Sequence, residues 1–339
     1  MNEREKHDPA AIERRRFLLQ VLRAGGIGAA TLGIGGWLGS RSSRPMEAGF
    51  LTLERSFVVP PDPGVAEMSV ATGGSPSMAV RTALEGVGGA RRFVARGDVV
   101  VIKPNIGWDR VPEQAATTNP DVVAELVRLC LDAGAKKVIV TDVSCHDARA
   151  SFQRSGIAQA ARNAGADVIL PDASRFKEVN LRGEVLKAWP VLESFLAADK
   201  VINVPIAKHH SLTGVTLGMK NWYGIIGGQR SRLHQRINES LADLATFMKP
   251  TVTVLDAWRI LVRNGPTGGN LADVEEKRTI IASTDPVAVD AYAAKAYWDL
   301  DFPRLAYLRL AEKRGLGNPN FEDVRTAVAN LGGEAHQRP

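Results

Sequence analysis

Cysteine is scarce in this sequence. Its 339 residues include two, Cys130 and Cys145, and these form no CxxC pair or similar cluster. Iron–sulfur clusters and cysteine-rich zinc knuckles need several thiolates at short spacings. The scarcity therefore argues against such a centre held by this chain alone. Cys145 does precede His146, but neighbours in sequence seldom form a catalytic dyad.

Dense charge and long hydrophobic runs are also absent from the body of the chain. Apolar residues make up 45% and charged residues 24%, as in ordinary globular proteins, which argues against disorder and against a polytopic membrane protein. The formal net charge is +6, and part of it comes from arginines in the first 44 positions. No lysine/arginine run is interleaved with aromatic residues, so we expect no nucleic-acid partner.

The N-terminal segment is typical of an export signal. Residues 14–19 read RRRFLL, and a glycine- and alanine-rich stretch follows at 24–39. Paired arginines, a phenylalanine, a leucine and a weakly apolar stretch are typical of a twin-arginine leader. A transmembrane anchor is the alternative, but the stretch falls short of the ~20 apolar residues that a spanning helix needs.

The leader defines an expected location and a first partner. We predict a leader over 1–45, the twin-arginine translocase as partner, and a periplasmic or extracytoplasmic protein. No A-x-A cleavage site precedes Met46, so a cleaved leader and an uncleaved one that tethers the protein to the membrane both stay open. Because substrates of this route cross the membrane already folded, a cofactor is expected more often among them.

Beyond the leader, alternating strand and helix patterns predict a single large α/β domain over 77–335, after a linker and irregular segment at 46–76. Short apolar runs alternate with helical stretches that are opened by Asn119–Pro120 and Asp285–Pro286. This order predicts a mostly parallel sheet with helices on both faces. Strands are expected at 99–105, 137–142, 167–172, 200–205, 251–258 and 279–284; helices at 77–90, 119–133, 151–164, 190–197 and 238–248, with one more opened by Asp285.

Polar residues are most concentrated just beyond the strand predicted at 200–205. The segment 207–235 contains three of the six histidines, together with Lys208 and Lys220. Open parallel sheets bind ligands at the carboxyl ends of their strands. Lys103 with Asn105, Asp142 and Asp256 also follow or end predicted strands, so the sequence predicts that they converge on this segment.

Two site chemistries and a structural alternative remain open. Lys208, Lys220, Arg230 and Arg232, with backbone amides freed by nearby glycines, suit a carboxylate or phosphate. His209 or His210 with His234 and Asp256 suit a divalent metal, although their spacing matches no compact metal motif. Adjacent histidines point in different directions, so at most one of the pair is expected at a given site. The same glycines could instead serve turns alone.

Several ordered motifs resemble the domain of unknown function 362 family. They are VVVIKPNIG at 99–107, KHHSLTGVTLGMKNWYG at 208–224 with the later His234, TVTVLDAW at 251–258 followed by GPTGG, and STDPVAVDAYA at 283–293. The resemblance covers about residues 77–300 and implies no particular reaction. Some members carry ferredoxin-like cysteine motifs, which implies redox or metal-linked work and a redox partner protein. This chain lacks those cysteines, so the resemblance does not imply electron transfer by the chain itself.

The motif positions define a candidate site. The first hypothesis is an exported enzyme with an anion-binding site, either with or without a divalent metal. The alternative is a non-catalytic periplasmic binding protein for a small anion or a metal-bound cofactor. The catalytic candidates are Lys220, His234 and Asp256; the ligand-binding candidates are Lys103, Asn105, Lys208, Asn221 and Gly224; the metal candidates are His209, His234 and Asp256.

Overall fold

The computed structural model describes residues 50–332. The leader predicted at 1–45 lies outside these residues. Within the described range, no helix is both long enough and apolar enough to cross a bilayer.

The described residues form twelve strands and ten α-helices, joined by loops and short 3-10 turns. The strands are β1 (Met68–Thr72), β2 (Val99–Pro104), β3 (Lys137–Val140), β4 (Asp167–Val168), β5 (Phe176–Asn180), β6 (Ala188–Leu192), β7 (Lys200–Val204), β8 (Ile206–His210), β9 (Gly214–Thr216), β10 (Val252–Leu261), β11 (Val274–Ser283) and β12 (Thr326–Asn330). The helices are Pro76–Gly86, Ala90–Phe93, Pro120–Asp132, Ala148–Arg154, Ile157–Asn163, Glu193–Ala197, Gly218–Asn221, Ile237–Phe247, Pro286–Trp298 and Ala306–Lys313.

Ten of the strands form one large sheet, in the order β12-β1-β11-β10-β7-β2-β3-β4, with β8 paired to β10 and β9 to β8. The run β10-β7-β2-β3-β4 is parallel throughout. β11 lies antiparallel between β10 and β1, because no long crossover helix separates β10 from β11 and a short connection reverses the chain. The prediction of an α/β fold with a mostly parallel sheet is confirmed.

The sheet has a hydrophobic layer on each face because successive strand residues point to opposite sides. Val100 and Ile102 of β2 belong to one buried cluster and Val101 to the other. The first cluster includes residues of the helices Pro76–Gly86 and Pro120–Asp132. The second includes residues of Ile237–Phe247 and Pro286–Trp298. Helices therefore cover both faces.

The sheet begins earlier in the chain than the sequence pattern suggests. β1 lies inside the segment 46–76 that was predicted to be a linker and irregular segment, and it pairs with both β11 and β12. Its five residues, MSVAT, are too few and too mixed in polarity to separate from a loop by periodicity alone. Their burial depends on partners more than 200 residues away in sequence.

Three local predictions are corrected. The helix predicted at 151–164 is two helices, because Gly156 adopts a left-handed φ of 72° between them. The strand predicted at 167–172 stops at Val168, and Pro171 beyond it has no N–H to give to a ladder. The helix predicted at 190–197 begins only at Glu193, because Pro190 belongs to β6 and pairs with Glu178 in a separate hairpin.

Candidate functional site

A cavity of about 480 Å³ lies where β2, β3 and β7 end. The register aligns Lys103 of β2 with Asn203 of β7, while Asp142 follows the end of β3, so residues from three strands meet at one edge. The cavity is lined by seven of the candidate residues: Lys103, Asn105, Lys208, Lys220, Asn221, Gly224 and His234.

Lys103 and Asp142 form a buried ion pair at the base of the cavity, with Nζ 2.7 Å from Oδ1. The Lys103 ammonium also donates to Asn221 Oδ1 at 3.0 Å and to the Pro104 carbonyl at 2.9 Å. Burial lowers the pKa of Lys103, and Asp142 opposes that shift. Three acceptors use all three N–H groups of the ammonium. This geometry favours a positioning role for Lys103 over direct contact with a ligand.

Gly224 allows the backbone to approach this ion pair. A Cβ at this position would lie 2.5 Å from Lys103 Nζ and would also collide with the Asp142 carboxylate. The Gly224 carbonyl accepts a hydrogen bond from the Val143 amide at 2.8 Å. A side chain here would separate the turn after Asn221 from the loop after β3, so the sequence position requires glycine.

Two asparagines carry the network from the ion pair to Lys208. Asn221 Oδ1 accepts from Lys103 and from Asn105 Nδ2, and Asn221 Nδ2 donates to Asn203 Oδ1 at 2.9 Å and to the Lys103 carbonyl. Asn105 Oδ1 in turn accepts from Lys208 Nζ at 3.0 Å. Asn221 is thus fully hydrogen-bonded, and it holds its neighbours in place.

Lys208 is buried in the same wall without an ion-pair partner among the described residues. Its Nζ donates to the Ala116 carbonyl at 2.6 Å and to Asn105, which leaves one N–H for the cavity. Burial lowers the pKa of Lys208 to about 7; the nearby Lys220 and Lys103 charges lower it further, while Cys145 and Asp142 act in the opposite direction. The amine therefore gains and loses its proton near neutral pH.

Lys220 is the least constrained of the three buried lysines. It lies on the one-turn helix Gly218–Asn221 and is 8% exposed. Its ammonium sits 4.6 Å from the centre of the Tyr223 ring, and within residues 50–332 it has no hydrogen-bond or ion-pair partner. Burial lowers its pKa to about 8; Cys145 opposes the shift, and Arg230 adds to it. None of its three N–H groups therefore has an acceptor within the described residues.

His209 and His210 point to opposite faces of β8, because successive residues of a strand alternate in direction. His210 lines the cavity, and its Nδ1 accepts from the Leu212 amide at 3.1 Å, so the neutral ring carries its proton on Nε2. Burial lowers the pKa of His210 to about 3, and the nearby charges of Lys220 and Lys208 contribute to the shift. His209 instead accepts from the Gly265 amide at 3.2 Å through Nδ1 and does not line the cavity.

The proposed metal ligands do not converge. Asp256 is buried within β10, where its carboxylate accepts from the Asn119 amide at 2.7 Å and the Trp258 amide at 2.9 Å; burial raises its pKa to about 6. It does not line the cavity, whereas His234 does and is exposed beside Tyr223. Across 50–332, no group of three or more His, Cys, Asp or Glu residues is placed to hold a metal ion. The geometry therefore gives the set His209, His234 and Asp256 no support.

Sequence reasoning undervalued two residues of the cavity wall. Arg230 donates to the carbonyls of Val143 and Tyr223 at 2.7 and 3.2 Å, and also to that of Ser144, so it ties the loop after β3 to the Tyr223 turn. Cys145 is exposed and lines the same cavity. Cys145 lies three positions after Asp142 in the sequence, but folding is needed to bring it and Arg230 beside the lysines.

Fold and site together define an α/β protein with a lysine-rich pocket at the carboxyl ends of parallel strands. The chain belongs to the domain of unknown function 362 family, whose sequence model matches residues 100–295. It is 28% identical over 266 residues to the thylakoid-associated protein sll1697 of Synechocystis sp., an alignment that covers 74% of this chain and 78% of that protein.

Similarity to a solved structure is distant. The lactate racemase apoprotein from Thermoanaerobacterium thermosaccharolyticum aligns with a TM-score of 0.38 and 11% identity, over 67% of this chain and 56% of that chain. This chain thus spans little more than half of that structure. A likeness at this level carries no functional argument.

Proposed function

We propose that the pocket binds a small anion, a carboxylate or a phosphate, and that the protein is an enzyme which acts on it at Lys220. The observation that carries the proposal is the pair Lys208 and Lys220. Both are buried, both open into one cavity, and neither has a carboxylate partner among the described residues.

An unpaired buried cation is costly, and a bound anion lowers that cost. Lys103 illustrates the contrast, because Asp142 already neutralises it in the same wall. Lys208 offers one free N–H and Lys220 offers three, so the two together can hold the oxygens of one anionic group. A cavity of about 480 Å³ is within the range that small-molecule sites occupy.

The pKa values of these lysines also suit proton transfer, which an enzyme uses and a binding protein does not need. A simple anion receptor gains most from cations that stay charged, whereas pKa values of about 7 for Lys208 and about 8 for Lys220 allow a proton to be taken up or released near neutral pH. General acid–base catalysis works best with such groups. His210, neutral with Nε2–H as a donor, adds a hydrogen bond that does not depend on pH in this range.

Thermal unfolding in sulfate, phosphate and glutarate tests the anion site. A ligand at about ten times its Kd should raise the Tm by roughly 2–4 °C, because it binds only the native state. Lys220→Met should abolish this response. Lys249→Met, which removes the same charge from an exposed position, should retain it. Equal anion responses in wild type and Lys220→Met would remove Lys220 from the site.

We also propose that the protein is exported by the twin-arginine route and works outside the cytoplasm or at a membrane. The support is the sequence at Arg14, Arg15, Phe17 and Leu18, together with the thylakoid association that the name of the Synechocystis relative records. An uncleaved leader would act as a membrane tether.

A further inference from the structure

The three buried lysines of the pocket differ in how many of their N–H groups are in use. Lys103 donates to three acceptors and Lys208 to two. Lys220 donates to no acceptor within the described residues, although only 8% of its surface is exposed. Its stem is buried, while the Nζ atom itself keeps some exposure to the cavity. An amine without partners has its lone pair available whenever it is neutral.

The surroundings of Lys220 make its neutral amine easier to reach than that of an exposed lysine, although the ammonium still predominates at pH 7. Burial disfavours the ammonium, and the guanidinium of Arg230 and the ammonium of Lys208 face the same cavity. His210 is neutral, and Cys145 is the group that acts in the opposite direction. Lysines that act as nucleophiles are activated in this way, by an apolar setting and a second cationic group.

We propose that Lys220 forms an imine with a carbonyl compound that carries a carboxylate next to the carbonyl, a 2-oxo acid. The proposal rests on the anion site described above, because Lys208 holds the carboxylate through its free N–H while Lys220 faces the carbonyl carbon. His210 Nε2–H is the donor available to the carbonyl oxygen.

The step balances without a co-reactant. The neutral Lys220 amine adds to the carbonyl carbon, and a proton passes from nitrogen to oxygen to give a carbinolamine. With one proton taken from solvent, the hydroxyl leaves as water, which carries the former carbonyl oxygen. The product is a protonated imine, whose positive charge lies over the face of the Tyr223 ring, as the ammonium does now.

Reductive trapping tests this assignment. The full chain is incubated with glyoxylate or 2-oxoglutarate and sodium cyanoborohydride, which delivers hydride to the imine carbon and leaves a stable secondary amine. Peptide mass mapping should find the adduct on Lys220 at least tenfold more than on exposed lysines such as Lys249. Lys220→Arg should lose that adduct, Lys249→Met should keep it, and glutarate should compete with 2-oxoglutarate.

The outcomes separate this inference from the anion site. A Tm response to glutarate that depends on Lys220, with no preferential Lys220 adduct from either carbonyl compound, overturns the imine and leaves the anion site standing. Absence of both the Tm response and the adduct overturns both proposals. The wild-type adduct map decides the question even if Lys220→Arg folds poorly.

Discussion

Lys220 shows how one side chain couples the pocket to the stability of the protein. Its pKa falls from 10.5 to about 8 on folding, chiefly through burial. Between these two values the unfolded chain binds more protons than the native one, so the contribution of Lys220 to stability rises as the pH rises from about 8 to 10.5. Below pH 8 Lys220 is charged in the native state too, and the loss of hydration of its ammonium lowers the stability by its full amount.

Removing this group should therefore stabilise the protein at neutral pH. We expect Lys220→Met to exceed wild type in free energy of unfolding by on the order of 2–3 kcal/mol at pH 7, and the difference to shrink towards pH 10. Urea unfolding at both pH values measures it. Lys249→Met serves as the control and should show neither effect; a Lys220→Met difference that is the same at pH 7 and pH 10 would contradict the assignment.

At the scale of elements, the one-turn helix Gly218–Asn221 depends on a carboxylate from another helix. Asp290 of Pro286–Trp298 accepts from the Gly218 amide at 2.7 Å and the Met219 amide at 3.1 Å. A helix of one turn cannot hold itself together, so Asp290 positions Lys220 and Asn221 without touching the cavity. Burial raises the pKa of Asp290 from 3.8 to about 7. The native state therefore binds more protons than the unfolded chain between these values, and the stability linked to this group falls as the pH rises from about 3.8 to about 7.

Asp290→Asn tests this positioning role. Asparagine offers one acceptor oxygen, so one of the two amides is left unpaired, at a cost of about 1–3 kcal/mol. We expect a lower free energy of unfolding at pH 4, where the linkage cost of Asp290 is small, together with a weaker sulfate response and less Lys220 adduct at neutral pH. Asp299→Asn, an exposed change at the end of the same helix, should alter none of the three. Lost stability with an unchanged sulfate response and adduct yield would show that Asp290 does not position Lys220.

For the whole molecule, the proposed twin-arginine route would require a folded domain and the arginine pair Arg14 and Arg15. Replacing both Arg14 and Arg15 by lysine keeps the charge but removes the guanidinium groups that this signal presents. Folded protein should then accumulate in the cytoplasm, while wild type reaches the extracytoplasmic or membrane fraction. Cell fractionation with immunoblotting measures the distribution. The matched control replaces Arg41 and Arg44 by lysine and should leave export intact. Export of the Arg14/Arg15 variant at the wild-type level would refute the proposed route.

Local pattern alone was enough to predict the parallel part of the fold. The strand β2 follows from a continuous apolar run, and the helices at Pro120–Asp132 and Pro286–Trp298 follow from their caps, since Asn119 and Asp285 each accept from amides of the first turn. Such signals act over a few residues and need no distant partner. The clustering of Lys208, Lys220 and Asn221 beyond a strand end likewise located the pocket.

The role of each polar residue in the pocket depends on long-range contacts. Asn221 and Lys103 are 118 positions apart, and Asn119 and Asp256 are 137 apart. No local pattern indicates that Lys103 and Asn221 meet in the pocket wall. Nor does one indicate that Asp256 is buried against the Asn119 amide, away from the pocket. Periodicity and capping are local, so they were enough to predict the α/β class, the capped helices and the edge of the sheet where the site lies. Packing decides which histidine faces the cavity. It also decides which lysines have hydrogen-bond partners and which one has none within the described residues, because those partners come from segments that are remote in the chain.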